Sequence, residues 1–294
     1  MLLSRKKQNL IMLGLAAPAL LLLVGFKLIP AVLGVWYSMT NWNGINPSYR
    51  FIGFTNFIEL FSEDTAFWKS MLFTLKYVLT ITLVMNLAAL GLALLIESLR
   101  RGKGIFRTIF YMPNMISMII GGYMWYFIFS QVLYYISEHS FLSFLGVSWF
   151  GDTRFSFLAI IIVAVWGGAG YLMVIYIAGL QGIPESVAEA ALVDGATGLQ
   201  RLYHITLPLM KSSFTICLFV TLNNAFQVFD VVYALTGGGP GRATQVAAIN
   251  IYEEAFSRSH RYGYATAKST VLFLIILAVT LIQVNVMKRR EEEM

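Results

Sequence analysis

Six long apolar runs, at about 10–37, 67–96, 105–129, 155–180, 212–235 and 264–287, alternate with shorter polar segments along the chain. At about 1.5 Å of rise per helical residue, each reaches across the roughly 30 Å hydrocarbon core of a bilayer. Lipid offers no hydrogen bonds, so a crossing segment satisfies its own backbone and is a helix. The pattern predicts an all-α polytopic membrane protein with six transmembrane helices. The first run follows Arg5, Lys6 and Lys7 but outlasts the 7–15 residue core of a secretory signal. It reads as an uncleaved, tilted first span. Pro113-Asn114 interrupts the third run and predicts a kink. Gly167, Gly168 and Gly170 in the fourth permit close helix approach. Of the polar segments, 141–145 has the character of a surface-lying piece. Residues 244–256 read as an amphipathic helix with Ile249, Tyr252 and Phe256 on one face.

Composition agrees with the pattern: 58% of the 294 residues are hydrophobic and 12% charged, where a soluble domain carries about a quarter charged. A net charge of +6 admits nucleic acid as a partner, but the basic residues cluster at span ends, which excludes that class and reads as topology. Twelve of the 21 Lys and Arg lie in the N-terminal tail, the loop around Arg100, the 182–210 loop with Lys211 directly after it, and the C-terminal tail, and six lie in the opposite segments. The bias places both termini and the 182–210 loop in the cytoplasm. The lone Cys217 lies inside an apolar run, and His139, His204 and His260 have no metal-ligand spacing.

Two polar stretches stand out. Within 182–210, Pro184 suits a first helical turn, and Glu185 and Glu189 place negative charge at a helix's positive end. Gly195 supplies a left-handed stop. Thr197 and Gln200 have capping-box spacing, and Pro208 kinks or restarts the chain. The prediction is helix, glycine corner, helix. In the fifth run, Asn223, Gln227 and Asp230 fall at i, i+4 and i+7 beside Asn224, with Phe226, Phe229 and Tyr233 nearby. Such a stripe lines a polar pathway, or holds helices together by hydrogen bonds. Lys27, Lys76 and Lys268 fall in the outer halves of spans, where lysines snorkel to the interface; Lys268 is also placed to pair with Asp230 or to meet an anionic solute. No nucleophile, dyad or metal cluster points to an enzyme. Gly237, Gly238 and Gly239 run into Pro240 without the lysine of a phosphate loop, so any ATP use falls to another chain.

The stretch EAALVDGATGLQRLYHITLP, Glu189 to Pro208, resembles the signature cytoplasmic loop of ATP-binding-cassette importer permeases. Thr236 to Pro240, the Phe229-Asp230-Val231-Val232-Tyr233 segment, Phe51-Ile52-Gly53, Phe106-Arg107-Thr108 and Ile183-Pro184 are similar to the carbohydrate branch of that family. The resemblance implies one N-terminal helix before a five-helix type I permease core: 1–66 for the N-terminus, first helix and external loop, 67–290 for the core, and 291–294 for a cytoplasmic tail. It implies a subunit of a binding-protein-dependent sugar importer in the plasma or inner membrane, working by alternating access. Its partners would be a second homologous permease, an ATPase dimer binding ATP and magnesium, and an extracytoplasmic solute-binding protein. Glu189, Ala190, Ala191, Asp194 and Gly195 would couple to the ATPase. Asn223, Asn224, Gln227, Asp230, Tyr233 and Lys268 would line the solute's path. The alternative, a self-sufficient carrier driven by an ion gradient, calls for its own ion site and more often shows repeated halves.

Overall fold

The computed structural model describes residues 5–257 and 260–292. Arg258 of the charge count and the end of the 291–294 tail lie outside them. Apart from one antiparallel bridge, Thr40 with Phe51, the regular structure among the described residues is helical. Five helical stretches are long and apolar enough to cross a membrane: Met12–Ser38, Thr65–Ser98, Met118–His139, Thr153–Gln181 and Tyr262–Met287. Gly198–Leu209 and Lys211–Phe226, which meet at a 69° bend, bring the number to six if the bent pair is counted as one span. The chain has an all-α architecture with several membrane-length helices.

The described residues form two compact units. The first comprises Met1–Thr65 and Ile251–Phe273, so 251–273 groups with the N-terminal part. Helices α1 (Arg5–Leu23) and α2 (Ile29–Ser38) are joined by one wide turn at Val24–Leu28. Beyond α2, Tyr37, Trp42, Tyr49 and Tyr262 pack ring against ring, the aromatic mixture that favours a membrane–water interface. Helix α3 (Thr55–Ser62) is fixed by Asn56, whose amide donates to the carbonyls of Ser38 at 2.8 Å and Thr40 at 2.9 Å.

The second unit, Ala66–Asn250 with Leu274–Met294, holds the main core. Helix α4 (Thr65–Ser98) leads to α5 (Lys103–Tyr111), a tight turn at Met112–Met115, and then α6 (Met118–Phe127). Here the structure corrects the sequence reading. The third run is not one kinked span over 105–129. Ile116 and Ser117 are extended after Pro113, and the membrane-length stretch starts at Met118 and runs through a wide turn at Ile128–Val132 into α7 (Leu133–His139). The polar residues that suggested a loop from 130 are absorbed by the helix: Ser137 donates to the Tyr134 carbonyl at 2.6 Å and Tyr134 to Glu138 at 2.7 Å. The 141–145 piece is a short turn with Phe141 exposed.

Helix α8 (Thr153–Gln181) is the hub, with thirteen buried residues. Its glycines admit neighbours, as expected: a Cβ on Gly170 would collide with the backbone carbonyl of Phe110. A buried polar knot ties three helices. Tyr176 donates to Asn86 at 2.7 Å, Asn86 donates to Thr221 at 3.2 Å, and Thr221 donates to the Cys217 carbonyl at 2.7 Å. Each partner removes the desolvation penalty of the others.

After α8 come α9 (Glu185–Val193), α10 (Gly198–Arg201), a wide turn at Leu202–Thr206, α11 (Leu207–Leu209) and α12 (Lys211–Phe226). The fifth run is also broken: α12 stops at Phe226 and α13 (Asp230–Thr236) starts afresh. The expected amphipathic helix at 244–256 is shorter, α14 (Ala247–Tyr252) followed by a wide turn at Glu253–Ser257. Ile249 is buried and Phe256 is exposed, while the Tyr252 and Phe256 rings meet with centroids 5.6 Å apart. Helix α15 (Tyr262–Glu292) closes the chain.

Candidate functional site

The first candidate surface is the loop between α8 and α12. Glu185 sits in the first turn of α9, and Asp194 N donates to the Ala190 carbonyl at 3.0 Å as the helix ends. Gly195 then takes φ +76°, and Ala196 N reaches back to the Ala191 carbonyl at 3.0 Å. That bond with a left-handed glycine is a helix stop that a Cβ strains. Thr197 and Gln200 form the reciprocal capping box that opens α10. Glu189, Ala190, Asp194 and Gly195 are exposed, and Ala191 is buried. The predicted helix, glycine corner, helix is therefore present, and Pro208 lies one residue into α11, just before the 69° bend.

The root of this loop carries an ion cluster that sequence reasoning missed. Glu97, in the last turn of α4, accepts from Lys103 at 2.8 Å and from Arg107 of α5. Gln181, the last residue of α8, donates to the same carboxylate at 3.2 Å. One acid thus joins three elements four residues before α9 begins. The signal was in the sequence as an acid followed by basic residues six and ten positions on, but those were read only as topology.

The second candidate is a cavity of about 390 Å³ at the break between α12 and α13, toward the small end of ligand pockets. Asn224, Gln227, Phe229 and Asp230 line it, with Asn114 from the turn before α6 and Tyr171 from α8. Two nearby glycines face flexible methionines: Met118 lies against Gly167, and Met85 against Gly168. Beside the break, Asn223 donates to the Phe219 carbonyl at 3.0 Å and Gln227 to the Asn223 carbonyl at 3.2 Å. Irregular backbone at membrane depth is tolerated where it lines a cavity.

The expected pathway residues divide accordingly. Asn224, Gln227 and Asp230 converge on the cavity, while Asn223 turns to its own helix and does not line it. The single-face stripe over 223–230 is thus corrected: the broken helix resets the phase. Tyr233 stands behind Phe229, ring stacked on ring with centroids 5.1 Å apart. Lys268 is corrected too. It neither pairs with Asp230 nor reaches the surface; it is 1% exposed, with its ammonium 2.8 Å from both Asp64 and Glu254. Tyr264 donates to Asp64 at 3.0 Å, and Arg261 holds Glu59 through two bonds of 2.7 and 2.6 Å. The bonds to Glu59 raise the Arg261 pKa beyond its ordinary value. Lys27 and Lys76 are exposed, and the Lys76 ammonium lies 4.3 Å from the Phe157 ring centre.

The family comparison is decisive over residues 86–292, which match the binding-protein-dependent transport system inner membrane component family. The chain belongs to that family. It is 41% identical, over 95% of its length and 94% of the relative's, to a probable starch degradation products transport system permease protein of Thermoanaerobacterium thermosulfurigenes. It is 32% identical to a multiple sugar-binding transport system permease protein of Streptococcus mutans, over 92% of this chain and 93% of that one. A crystal structure of a bacterial ABC transporter involved in import of the acidic polysaccharide alginate shares the fold, with a TM-score of 0.81, 23% identity and 96% coverage of both chains. This family member is a multi-pass membrane transport component.

Proposed function

We propose that this chain is one permease subunit of an ATP-driven, binding-protein-dependent importer of a sugar, oligosaccharide or sugar derivative. Family membership and the sugar systems among its relatives support the solute class. The observation that carries the reading for this chain is the loop: two short helices about a left-handed Gly195, exposed and running into the broken span that lines the cavity. With both termini and this loop in the cytoplasm, Glu189, Ala190, Asp194 and Gly195 form the face that seats on a separate ATPase, with Ala191 packed beneath. ATP and magnesium bind that ATPase pair. A second permease supplies the other wall of the pathway, and an extracytoplasmic binding protein delivers the solute.

In the cavity, the amides of Asn114, Asn224 and Gln227 both donate and accept, and Asp230 accepts, which matches the mixed hydroxyls of a sugar. Phe229 offers a ring to a sugar's apolar face, held in place by the stack with Tyr233. Closure of the ATPases moves the loop; its continuation through the bend at Met210 shifts α12 and with it the cavity's break. A carrier driven by an ion gradient lacks this support, since it has no use for a coupling corner.

The test is purification in mild detergent with and without Gly195→Leu. Forcing a side chain into a left-handed position costs about 1–2 kcal/mol and spoils the corner without touching the cavity. Wild-type protein is expected to retain an ATPase. The variant loses it, or hydrolyses ATP with at least tenfold less uptake per ATP. Normal coupled transport in the variant refutes the loop's role.

A further inference from the structure

We infer that the cavity selects uncharged saccharides, with Asp230 as the residue of this chain that turns acidic ones away. This deepens the importer reading above and rests on it. The fold leaves charge selection open, since the alginate importer of the same architecture handles an acidic polysaccharide.

The argument is electrostatic. Among the described residues lining the cavity there is no lysine, arginine or histidine, and Asp230 is the one carboxylate. The other polar groups are all neutral: the amides of Asn114, Asn224 and Gln227 and the hydroxyls of Tyr77, Tyr171 and Thr221. A carboxylate or phosphate on a substrate sheds its water to enter such a space, and it does so only against a compensating cation or a set of aimed donors. Here it meets a like charge instead. The basic side chain best placed by sequence to serve, Lys268, is sequestered: it is buried between Asp64 and Glu254 at 2.8 Å from each, so its charge is already compensated. A neutral oligosaccharide needs no counter-charge. Its hydroxyls donate to Asp230 and exchange bonds with the amides, and the charged acceptor strengthens those bonds.

The experiment uses the assembled importer in nanodiscs with the binding protein omitted, so that the binding protein's own selectivity does not enter. Saturation-transfer NMR reads contact with neutral probes (maltotriose, cellotriose, xylotriose) and with an acidic one, trigalacturonate. ATP-dependent uptake of the same probes is measured separately in proteoliposomes with the binding protein restored. At least one neutral probe is expected to give a signal tenfold or more above trigalacturonate. In Asp230→Asn, which keeps size and shape, that ratio falls at least threefold. Equal signals from acidic and neutral probes in the wild type, or an unchanged ratio in Asp230→Asn, overturns the inference and leaves the importer reading standing. ATP-dependent uptake of no saccharide of either class overturns the importer reading instead.

Discussion

Lys268 shows how much a single side chain's role depends on what folds around it. A lysine at 1% exposure, held at 2.8 Å by two carboxylates from separate segments, fastens the start of α15 to the residue ahead of α4 and to the turn after α14. Removing one member of such a set leaves the others buried with uncompensated charge, at a cost of about 3–5 kcal/mol. Lys268→Met is therefore expected to lower the melting temperature of the purified complex by several degrees, and Lys268→Arg by less. A melting curve for Lys268→Met that superimposes on the wild type removes the cluster from the stabilising interactions. The residues of the cavity obey a related rule. Asn223 and Asn224 are neighbours of identical chemistry, yet one spends its amide on its own helix and the other faces the cavity.

At the scale of elements, the wide turns and breaks carry the consequences. The 69° bend at Met210 lies just ahead of the fifth run, and the interruption at 227–229 divides that run into α12 and α13. At the loop's root, Glu97 joins the last turn of α4, the first turns of α5 and the end of α8. Charge-assisted bonds of this kind contribute about 1.5–3 kcal/mol each before exposure discounts them. Glu97→Gln keeps the shape but not the charge, so the complex should still assemble while α9 is held less firmly relative to the span it drives. The expected result is a two- to fivefold rise in ATP hydrolysed per sugar imported, with ATPase retention unchanged. An unaltered ratio would show that the cluster only fixes local structure.

For the whole molecule, the charge asymmetry along the chain makes a prediction about sides. Cysteines at Ser140 and at the exposed Leu199 are expected to react oppositely with an impermeant thiol reagent applied to intact cells: Ser140→Cys labels and Leu199→Cys labels only after lysis. Cys217 is fully buried and gives a silent background. Labelling of Leu199→Cys from outside reverses the proposed orientation.

What the sequence determined was the part governed by local or one-dimensional rules. Bilayer thickness sets the length of an apolar run, so the membrane-crossing character of the chain was legible. A left-handed stop needs glycine, and a capping box needs its two partners three residues apart, so the Gly195 corner was legible too. Pairings between distant residues were not. Lys268 with Asp64 is separated by about two hundred positions, and Tyr176 with Asn86 by ninety. Nothing in a hydropathy pattern specifies which helices adjoin. The break at 227–229 also escaped, because no proline or glycine marks it, and an opened backbone is tolerated at membrane depth where it lines a cavity. The sequence named polar residues capable of meeting a solute. Only tertiary structure decided which of them share a cavity, and which cation was already spent elsewhere, because burial and charge compensation are properties of neighbours in space.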